Sequence, residues 1–316
     1  AACPAWAREA GQYRIVIADP AFTAPGWRDL PLYRPLFPEL RRLGDVEGEN
    51  LRVAYLAAEG HVERFADLAR RAVERDPDVI VSLTGDLVPR LMAETRTIPI
   101  VAFMANPVFV GSVGNLARPG GNLTGVSIYA GIEIEGKRLE LLKEAVPSAS
   151  RVAVLNTRAE PVYALWRPKL REYAKKLGLS LIEVLLHDPS PPEIGRGFAE
   201  LVHDRPDALL LGPEPGFGVH ARLIARSAEA SQLPAIYPYP VYADLPGALM
   251  TYTFDAAELG RQVADDVHRI LHGAKPGDIP IYQPTRFKLT INLKAARAIG
   301  LTFPPRLLAR ADEVIQ

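Results

Sequence analysis

One stretch decides how this chain is organised: residues 116–144, which read LARPGGNLTGVSIYAGIEIEGKRLELLKE. Its segment Pro119-Gly120-Gly121-Asn122 is typical of a turn, and residues 123–128 predict a short strand. A long amphipathic helix follows the strand. A join of this kind, a little over a third of the way along 316 residues, predicts that one α/β lobe ends and a second begins at 127–131.

The residues on either side of this join repeat one plan of alternating strands and helices. The matched pairs are YRIVIAD (13–19) with SRVAVLN (150–156), DPDVIVSLTG (76–85) with RPDALLLGPEP (205–215), TIPIVAF (97–103) with QLPAIYP (232–238), and GNLTGVS (121–127) with GALMTYT (247–253). Alternation of this kind predicts parallel sheets with helices on both faces. Any parallel α/β protein contains similar strands, but the shared order favours two lobes of one design.

The repeat also predicts where the lobes begin and end. Residues 255–278 form a predicted helix after the last matched strand, and we expect this helix to return to the first lobe. Several crossings of the chain would then make a hinge. The predicted parts are a terminal segment at 1–12, an N-terminal lobe at 13–126 plus about 254–284, and a C-terminal lobe at 127–253 plus about 285–316.

The composition excludes several classes of partner and chemistry. Lys plus Arg (37) balances Asp plus Glu (37), so no net charge favours nucleic acid, and we expect no nucleic-acid partner. No stretch approaches the roughly 20 apolar residues of a membrane-spanning helix. The sequence contains no phosphate-binding loop, dinucleotide fingerprint or nucleophile elbow, so we expect neither a cofactor nor a catalytic residue.

The first residues, AACPAWAREAGQ, resemble the end of an export signal. Ala5-Trp6-Ala7 has the small-x-small form of a secretory cleavage site, and Ala1-Ala2-Cys3 resembles the end of a lipoprotein signal. An ordinary ragged terminus is the alternative. Cys3 is the one cysteine of the chain, which excludes an internal disulfide.

Candidate ligand-binding residues lie where the predicted strands end. In open parallel sheets a ligand binds beyond the carboxyl ends of the strands, and two such edges facing each other would form a cleft. The candidates are Asp19, Phe22, Ser82, Thr84, Gly85, Asn106 and Tyr129 in or near the first lobe, and Asn156, Glu214, Tyr237 and Tyr239 in the second.

The first of these groups suits an anion. Ser82, Thr84 and Gly85 precede the predicted helix DLVPRLMAE, and free backbone N–H groups at a helix start favour a carboxylate. Simple capping of that helix by Thr84 is the alternative. Asn106, beside Pro107, also fits an ordinary turn.

The other candidates suit the rest of a small amphiphilic molecule. Asn106, Asn156 and Glu214 could orient an amine or a hydroxyl. Tyr129, Tyr237 and Tyr239 offer flat apolar faces with a polar tip, although packing between the lobes would use the same faces.

Two histidines form the only pattern typical of a metal site. His268 and His272 are four residues apart on a predicted helix. They also lie near the end of that helix, where a partly charged imidazole suits the helix dipole. The sequence offers no third ligand, so we expect no metal.

Several longer motifs resemble those of a known family. They are LARPGGNLTGVS, GKRLELLKEAVPSASRVAVLNT, LPAIYPYPVY, RRLGDVEGENLRVAY and INLKAARAIGLTFPPRLLARADEVIQ, and together they span nearly the whole chain. In these motifs the chain is similar to ABC-transporter substrate-binding proteins of the tryptophan/tyrosine type. The resemblance implies a type I periplasmic-binding-protein fold, with two Rossmann-like lobes and a multi-stranded hinge. It also implies a periplasmic or other extracytoplasmic location, which favours the export interpretation over a ragged terminus. Cys3 would then either carry a lipid anchor or be removed with the signal peptide.

The chain departs from the family pattern at two places. The loop after the first strand is large and holds Phe22 and Trp27, whereas relatives commonly carry a small Ser- and Gly-rich loop. The turn after the fourth strand reads Asn106-Pro107, where relatives usually have Asp-Pro. The missing acid weakens the case for binding an α-amino group there and leaves room for an uncharged or carboxylate-bearing ligand.

We therefore predict a solute-binding receptor of an ABC importer, which closes on an amino acid or an aromatic or organic acid. We expect it to act as a monomer and to dock on a membrane permease. One alternative is a cofactor-free enzyme with Asp19 or Glu214 as a general base, and another is a ligand-sensing module.

Overall fold

The computed structural model describes residues 11–20, 26–108, 110–128, 131–158, 161–214 and 216–316. The chain divides into two compact units. The first unit comprises Ala1–Tyr129 and Ala256–Pro284, and the second comprises Ala130–Asp255 and Thr285–Gln316. The chain therefore passes from one unit to the other three times. Within the described residues, none of the helices combines the length and the apolar character needed to cross a membrane.

The first unit is built on a five-stranded parallel sheet. Its strands are β1 (Tyr13–Asp19), β2 (Leu51–Ala57), β3 (Val79–Ser82), β4 (Ile100–Met104) and β5 (Leu123–Ser127), arranged in the order β2-β1-β3-β4-β5. Its helices are α1 (Leu36–Leu43), α2 (Phe65–Glu74), α3 (Val88–Glu94) and α9 (Ala256–Leu271). The apolar runs of β1, β3, β4 and β5 are almost wholly buried, as a sheet covered on both faces requires, whereas the edge strand β2 is only partly buried.

The second unit is built on a seven-stranded sheet. Its strands are β6 (Arg151–Thr157), β7 (Ser180–Leu186), β8 (Ala208–Leu211), β9 (Ala235–Tyr237), β10 (Met250–Phe254), β11 (Phe287–Asn292) and β12 (Glu313–Ile315). Its helices are α4 (Glu133–Ala145), α5 (Pro161–Lys176), α6 (Pro191–Asp204), α7 (Gly216–Val219), α8 (Ala221–Ala230), α10 (Leu293–Ala298) and α11 (Pro305–Leu308). The strand order is β12-β11-β10-β9-β8-β6-β7.

The internal repeat predicted from the sequence is confirmed by the strand orders. The matched pairs become β1 with β6, β3 with β8, β4 with β9, and β5 with β10, and each set occupies the same order in its sheet. A pair of hydrogen bonds is also repeated. Arg14 N donates to Asp78 Oδ2 at 2.8 Å, while Asp78 N donates to the Arg14 carbonyl. Arg151 and Asp207 make the same two bonds, also at 2.8 Å.

The second sheet differs from the predicted all-parallel sheet at one edge. Strand β11 pairs antiparallel with β10, and β12 then pairs parallel with β11. The final strand at Glu313–Ile315 was not predicted from the sequence. Its three residues are too short for a periodic pattern to be recognised.

Helix α9 belongs to the first unit although it follows the last repeated strand of the second. It buries an apolar face that includes Leu259, Val263 and Val267, and it contacts β4, β5 and α1. A side chain at Gly260 would place its Cβ 2.4 Å from Pro35 Cγ and 2.5 Å from the Leu32 carbonyl oxygen. The absence of a side chain at this position therefore lets α9 lie close to the segment that leads into α1.

Candidate functional site

In the first unit, the predicted residues that the structure describes lie at the carboxyl edge of the sheet, next to its topological switch point. Strand β1 has β2 on one side and β3 on the other, so the connections leave the sheet in opposite directions between β1 and β3. Asp19 ends β1, and Ser82 ends β3. The structure thus brings these two predicted residues to the place where open α/β sheets usually bind ligands.

Asp19 accepts hydrogen bonds from side chains of an aromatic cluster. Its carboxylate is buried, with 1% of the residue exposed, and it accepts a 2.6 Å hydrogen bond from the Tyr33 hydroxyl. Tyr55 also donates to it. Burial, followed by the charge of Asp19, raises the pKa of both tyrosine hydroxyls. Trp27 completes the group, because its ring stacks on Tyr55 with centroids 4.4 Å apart. Asp19 therefore anchors the segment after β1, and Phe22 lies outside the described residues.

Thr84 does not cap the helix that follows it. The backbone of Thr84 is extended before a 3-10 turn at Gly85–Leu87, and its side chain makes no capping hydrogen bond. Its Oγ1 atom is buried and has no hydrogen-bond partner. Since buried polar atoms in native proteins almost always have partners, this hydroxyl is a position where a ligand atom would be stabilised.

The neighbours of Thr84 bring the ends of β3 and β4 together. The Ser82 hydroxyl is buried and donates to the Thr84 carbonyl at 3.1 Å. A Cβ on Gly85 would lie 3.5 Å from Met104 Cα, which is ordinary contact. Asn106 follows β4 and is half-buried, and its carbonyl accepts a hydrogen bond from Val110 N at 3.1 Å.

In the second unit, Asn156 marks the equivalent switch point between β6 and β8. Its side chain is fully buried, and Oδ1 accepts a hydrogen bond from Thr157 N at 2.8 Å. Its Nδ2 atom is buried without a partner. A Cβ on Gly212 would lie only 2.6 Å from that nitrogen, so the close approach of the strand end after β8 requires glycine.

Both carboxylate oxygens of Glu214 are held by the protein. The Thr157 hydroxyl donates to Oε2, and Gly216 N donates to Oε1 at 3.1 Å. Glu214 therefore fixes the loop between β8 and α7. Thr157 was not among the predicted site residues, although its place at the end of β6 was the signal that could have identified it.

Two of the three predicted tyrosines make contacts within the second unit. Tyr237 is fully buried in the core of the second unit, where its ring stacks on Tyr242 at 4.4 Å, so its faces do not receive a ligand in this structure. Burial raises the pKa of Tyr237, and its hydroxyl oxygen has no hydrogen-bond partner. Tyr239 is half-buried and donates to the Pro213 carbonyl at 2.7 Å. Tyr129 lies outside the described residues.

A buried ion pair at the same edge was missed. Glu135 and Arg138, near the start of α4, are 3% and 4% exposed and form a salt bridge. Arg138 also donates through Nε to the Tyr252 carbonyl at 2.8 Å and through its terminal nitrogen to the Pro238 carbonyl at 3.3 Å. Glu135 Oε2 has no partner. Burial raises the pKa of Glu135, and the charge of Arg138 opposes this shift. The available signal was a pair of opposite charges at i, i+3 on a helix that must bury one face.

The structure shows a third possible metal ligand beside the two histidines, which the sequence did not reveal. His268 on α9 and His272, which follows the last residue of the helix, both contact the buried carboxylate of Asp45. Among the described residues, these three form a group whose possible ligand atoms all lie within 4.8 Å of one another. Spacing along the sequence could not reveal Asp45, because it is 223 residues away from His268.

Comparisons with known proteins agree on one family and one fold. A family model described as ABC transporter substrate binding protein matches residues 36–315. The Tyrosine-binding protein of Clostridioides difficile (strain R20291) is 25% identical over 259 residues, which cover 82% of this chain and 73% of that protein.

Two solved structures resemble nearly the whole chain. A conserved domain protein from Vibrio cholerae O1 biovar El Tor (strain N16961) has a TM-score of 0.84 and 26% identity, covering 96% of this chain and 99% of that chain. The ABC domain from Streptococcus pneumonia, in complex with L-Trp, has a TM-score of 0.84 and 23% identity, covering 96% and 100%. The predicted fold of two α/β lobes is thereby confirmed.

Proposed function

Because the chain belongs to the family of ABC transporter substrate binding proteins, we propose that it captures an aromatic amino acid for an importer. Members of this family are extracytoplasmic solute-binding proteins rather than enzymes. The match over residues 36–315 carries the proposal, since it includes strands and helices of both units. The choice of an aromatic amino acid rests on the relative named Tyrosine-binding protein.

We propose that the two compact units are the two lobes of the receptor and that both contribute to binding. The supporting residues lie at the switch points of the two sheets. Thr84 Oγ1 and Asn156 Nδ2 are both buried and lack hydrogen-bond partners. A hydroxyl can donate to a carboxylate and an amide nitrogen can donate to a carboxylate or a carbonyl, so an amino acid would supply the missing acceptors. In this arrangement Glu214, held by Thr157 and Gly216, positions the loop that lines the site.

The proposed mechanism is a shift between open and closed forms. A ligand that contacts both lobes stabilises the closed form by the difference between its affinities for the two forms. The membrane permease of the importer would then receive the closed form, and the receptor would act as a monomer. The permease can be tested with vesicles that contain it, because transport into these vesicles should require this protein. The monomeric state can be tested by light scattering, which should give the mass of one chain.

The ligand class can be tested directly. Native mass spectrometry of freshly purified protein should show a bound small molecule, and a thermal-shift series should then compare tyrosine, tryptophan and phenylalanine with aromatic acids that lack the amino group. A ligand present at a hundred times its Kd should stabilise the protein by about 2.7 kcal/mol, and the melting temperature should rise with concentration. If only acids without the amino group raise it, the amino-acid assignment is wrong.

The site can be tested with Thr84→Val, which removes the hydroxyl and keeps the shape of the side chain. We expect affinity for the identified ligand to fall about tenfold, because a lost hydrogen bond costs on the order of 1 kcal/mol or somewhat more. The control is Thr97→Val, since Thr97 is exposed just before β4, at the opposite edge of the same sheet. Calorimetric titration would measure both. Equal affinities for the two variants would remove Thr84 from the site.

We also propose that a lipid anchor at Cys3 holds the protein at the outer surface of a membrane. The sequence Ala1-Ala2-Cys3 supports a lipid anchor on the Cys3 sulfur. Mass spectrometry of the protein from its native membranes should then find an acylated Cys3. An unmodified thiol there would contradict the anchor.

A further inference from the structure

We propose that Asp45, His268 and His272 form a binding site for a divalent transition-metal ion, with Zn²⁺ as the best fit. Two imidazoles and one carboxylate are a common ligand set for zinc, and three protein ligands leave a position for water. Imidazole ligands favour transition metals over Mg²⁺ or Ca²⁺, which prefer sets made only of oxygen. The possible ligand atoms of these three residues already lie within 4.8 Å of one another.

The distances between the imidazole nitrogens and the Asp45 oxygens are close to those expected around a metal ion. The ion would take the place of the protons in the two hydrogen bonds. His268 Nδ1 lies 2.8 Å from Asp45 Oδ2, and His272 Nε2 lies 3.2 Å from Asp45 Oδ1. Each contact is a hydrogen bond when the imidazole nitrogen carries a proton. Zinc bonds of about 2.0–2.2 Å in a tetrahedral arrangement place neighbouring ligand atoms about 3.3 Å apart. The two contacts to Asp45 therefore need to lengthen by only about half an ångström or less, while the remaining pair of ligand atoms, which lies within 4.8 Å, would move closer together around the ion.

Asp45 is held in place before any metal arrives. Helix α1 ends at Gly44, which has a φ of +100°, and Asp45 N donates to the Leu40 carbonyl at 2.9 Å. Asn50 fixes the next turn, because its Oδ1 accepts from Val46 N at 2.7 Å and its Nδ2 donates to the Gly44 carbonyl at 2.9 Å. The Asp45 side chain is 0% exposed. A carboxylate buried in this way requires cationic or hydrogen-bonding partners.

The two histidines lie at the C-terminal end of α9, with His268 in its last turn and His272 directly after it. They lie one helical turn apart on the same face, and the backbone remains helical between them, since His272 N donates to the His268 carbonyl at 3.1 Å. Close packing at Gly260 fixes α9 against the segment that leads into α1. Both halves of the site therefore belong to the first unit.

The site is open on the histidine side. The side chains of His268 and His272 are 26% and 47% exposed, which gives an ion a path from solvent. Two basic side chains on the helices that carry the site are paired with acids: Arg42 donates to Glu39, and Arg269 lies 3.9 Å from Asp265. Their charges are therefore partly compensated where an incoming cation would meet them.

The metal site is separate from the proposed ligand site. The ring of His272 packs edge-on against Tyr13, the first residue of β1, with centroids 5.3 Å apart. Asp19, at the other end of this strand, marks the ligand edge. A strand of this length spans about 20 Å, so the two sites lie at opposite edges of the sheet. Metal binding should therefore be independent of Thr84.

The test is zinc titration of the full chain, purified without a histidine tag and stripped with a chelator. All proteins carry Cys3→Ser, so that the one thiol of the chain cannot hold metal. Isothermal titration should show one equivalent of Zn²⁺ bound, and Zn²⁺ should raise the melting temperature. With Co²⁺ as the probe, the absorption spectrum should report nitrogen and oxygen ligands.

The decisive variant is His272→Gln, because a half-exposed side chain can be replaced without loss of the fold. We expect zinc affinity to fall at least about 100-fold, since losing a group that only orients a metal ligand already costs about 10- to 100-fold. His203→Gln is the matched control, because His203 is exposed on α6 of the second unit. Zinc binding that is equally strong in both variants, or absent from the parent protein, would overturn the proposal and leave a hydrogen-bonded cluster.

Discussion

Gly125 occupies a backbone conformation that other residues rarely adopt, with a φ of +129° in the middle of β5. A Cβ at this position would lie 2.1 Å from the carbonyl oxygen and 2.6 Å from the nitrogen of Ala102, its partner on β4. Both of these atoms belong to the backbone of a buried strand, so neither can move aside without disturbing the sheet.

We predict that Gly125→Ala lowers the free energy of unfolding by about 2–4 kcal/mol, because the new Cβ adds both backbone strain and a clash. Urea unfolding followed by circular dichroism would measure the loss. The control is Gly195→Ala on the exposed face of α6, where no atom lies within 4 Å of the added Cβ. That change should stabilise the protein by about 0.5–1 kcal/mol. Equal effects of the two substitutions would contradict our account of Gly125.

Single residues also show how far the sequence could lead to the candidate site. The positions of Asp19, Ser82 and Asn156 at strand ends were predictable, because apolar runs reveal where buried strands stop. The hydrogen-bond partners of these residues were not. Glu214 is held by Thr157, 57 residues earlier in the chain, and Asp45 meets His268 from 223 residues away. Such pairings depend on how elements pack, which local pattern does not specify.

At the scale of elements, an aspartate ties the start of β8 to the start of β6. Asp207 Oδ2 accepts hydrogen bonds from Ser150 N at 2.7 Å and from Arg151 N at 2.8 Å. These two backbone donors lower the pKa of Asp207 below its ordinary value of 3.8. A lowered pKa means that the carboxylate stabilises the folded state fully above about pH 4, and that this stabilisation is lost as the pH falls further.

We predict that Asp207→Asn destabilises the protein by about 1 kcal/mol or less at pH 7, because the exposed carboxylate is screened by water and the amide oxygen can still accept one bond. The difference between wild type and variant should shrink as the pH falls below about 4, because the carboxyl of the unfolded chain then gains a proton before that of the folded chain does. Thermal unfolding at pH 7, 4 and 3 would measure it. A difference that stays constant with pH would show that charge plays no part.

The order of the elements was more predictable than their direction at the sheet edge. Four repeated strands were matched from sequence, and the structure places them in equivalent positions in the two sheets. The antiparallel pairing of β10 with β11 could not be predicted in this way. An apolar run shows that a strand is buried. Whether that strand lies parallel or antiparallel to its neighbour depends on where the connecting helix α9 packs.

At the scale of the whole molecule, neither unit is a continuous piece of chain. The first unit requires α9, whose buried face includes Leu259, Val263 and Val267. The second unit requires β11 and β12, which extend its sheet beyond β10. Each unit is therefore completed by a segment that follows the central strands of the second.

We predict that residues 1–129 alone fail to fold, whereas the same residues joined by a flexible linker to 256–284 do fold. Without α9, the apolar surface of β4 and β5 that it covers would face water, at a cost of about 25 cal/mol for each Å² exposed. A cooperative thermal transition and dispersed amide signals in nuclear magnetic resonance spectra would identify the folded fragment. A cooperative transition in residues 1–129 alone would show that α9 is dispensable.

The late position of α9 also constrains the order in which this chain can mature. A ribosome adds about 5–20 residues each second. Helix α9 is therefore synthesised several seconds after the last strand of the first sheet. During that time the polypeptide cannot complete either compact body. A chain that cannot fold until its last segments are made stays unfolded long enough to pass through a narrow translocation channel. This order of synthesis suits a protein that is exported across a membrane.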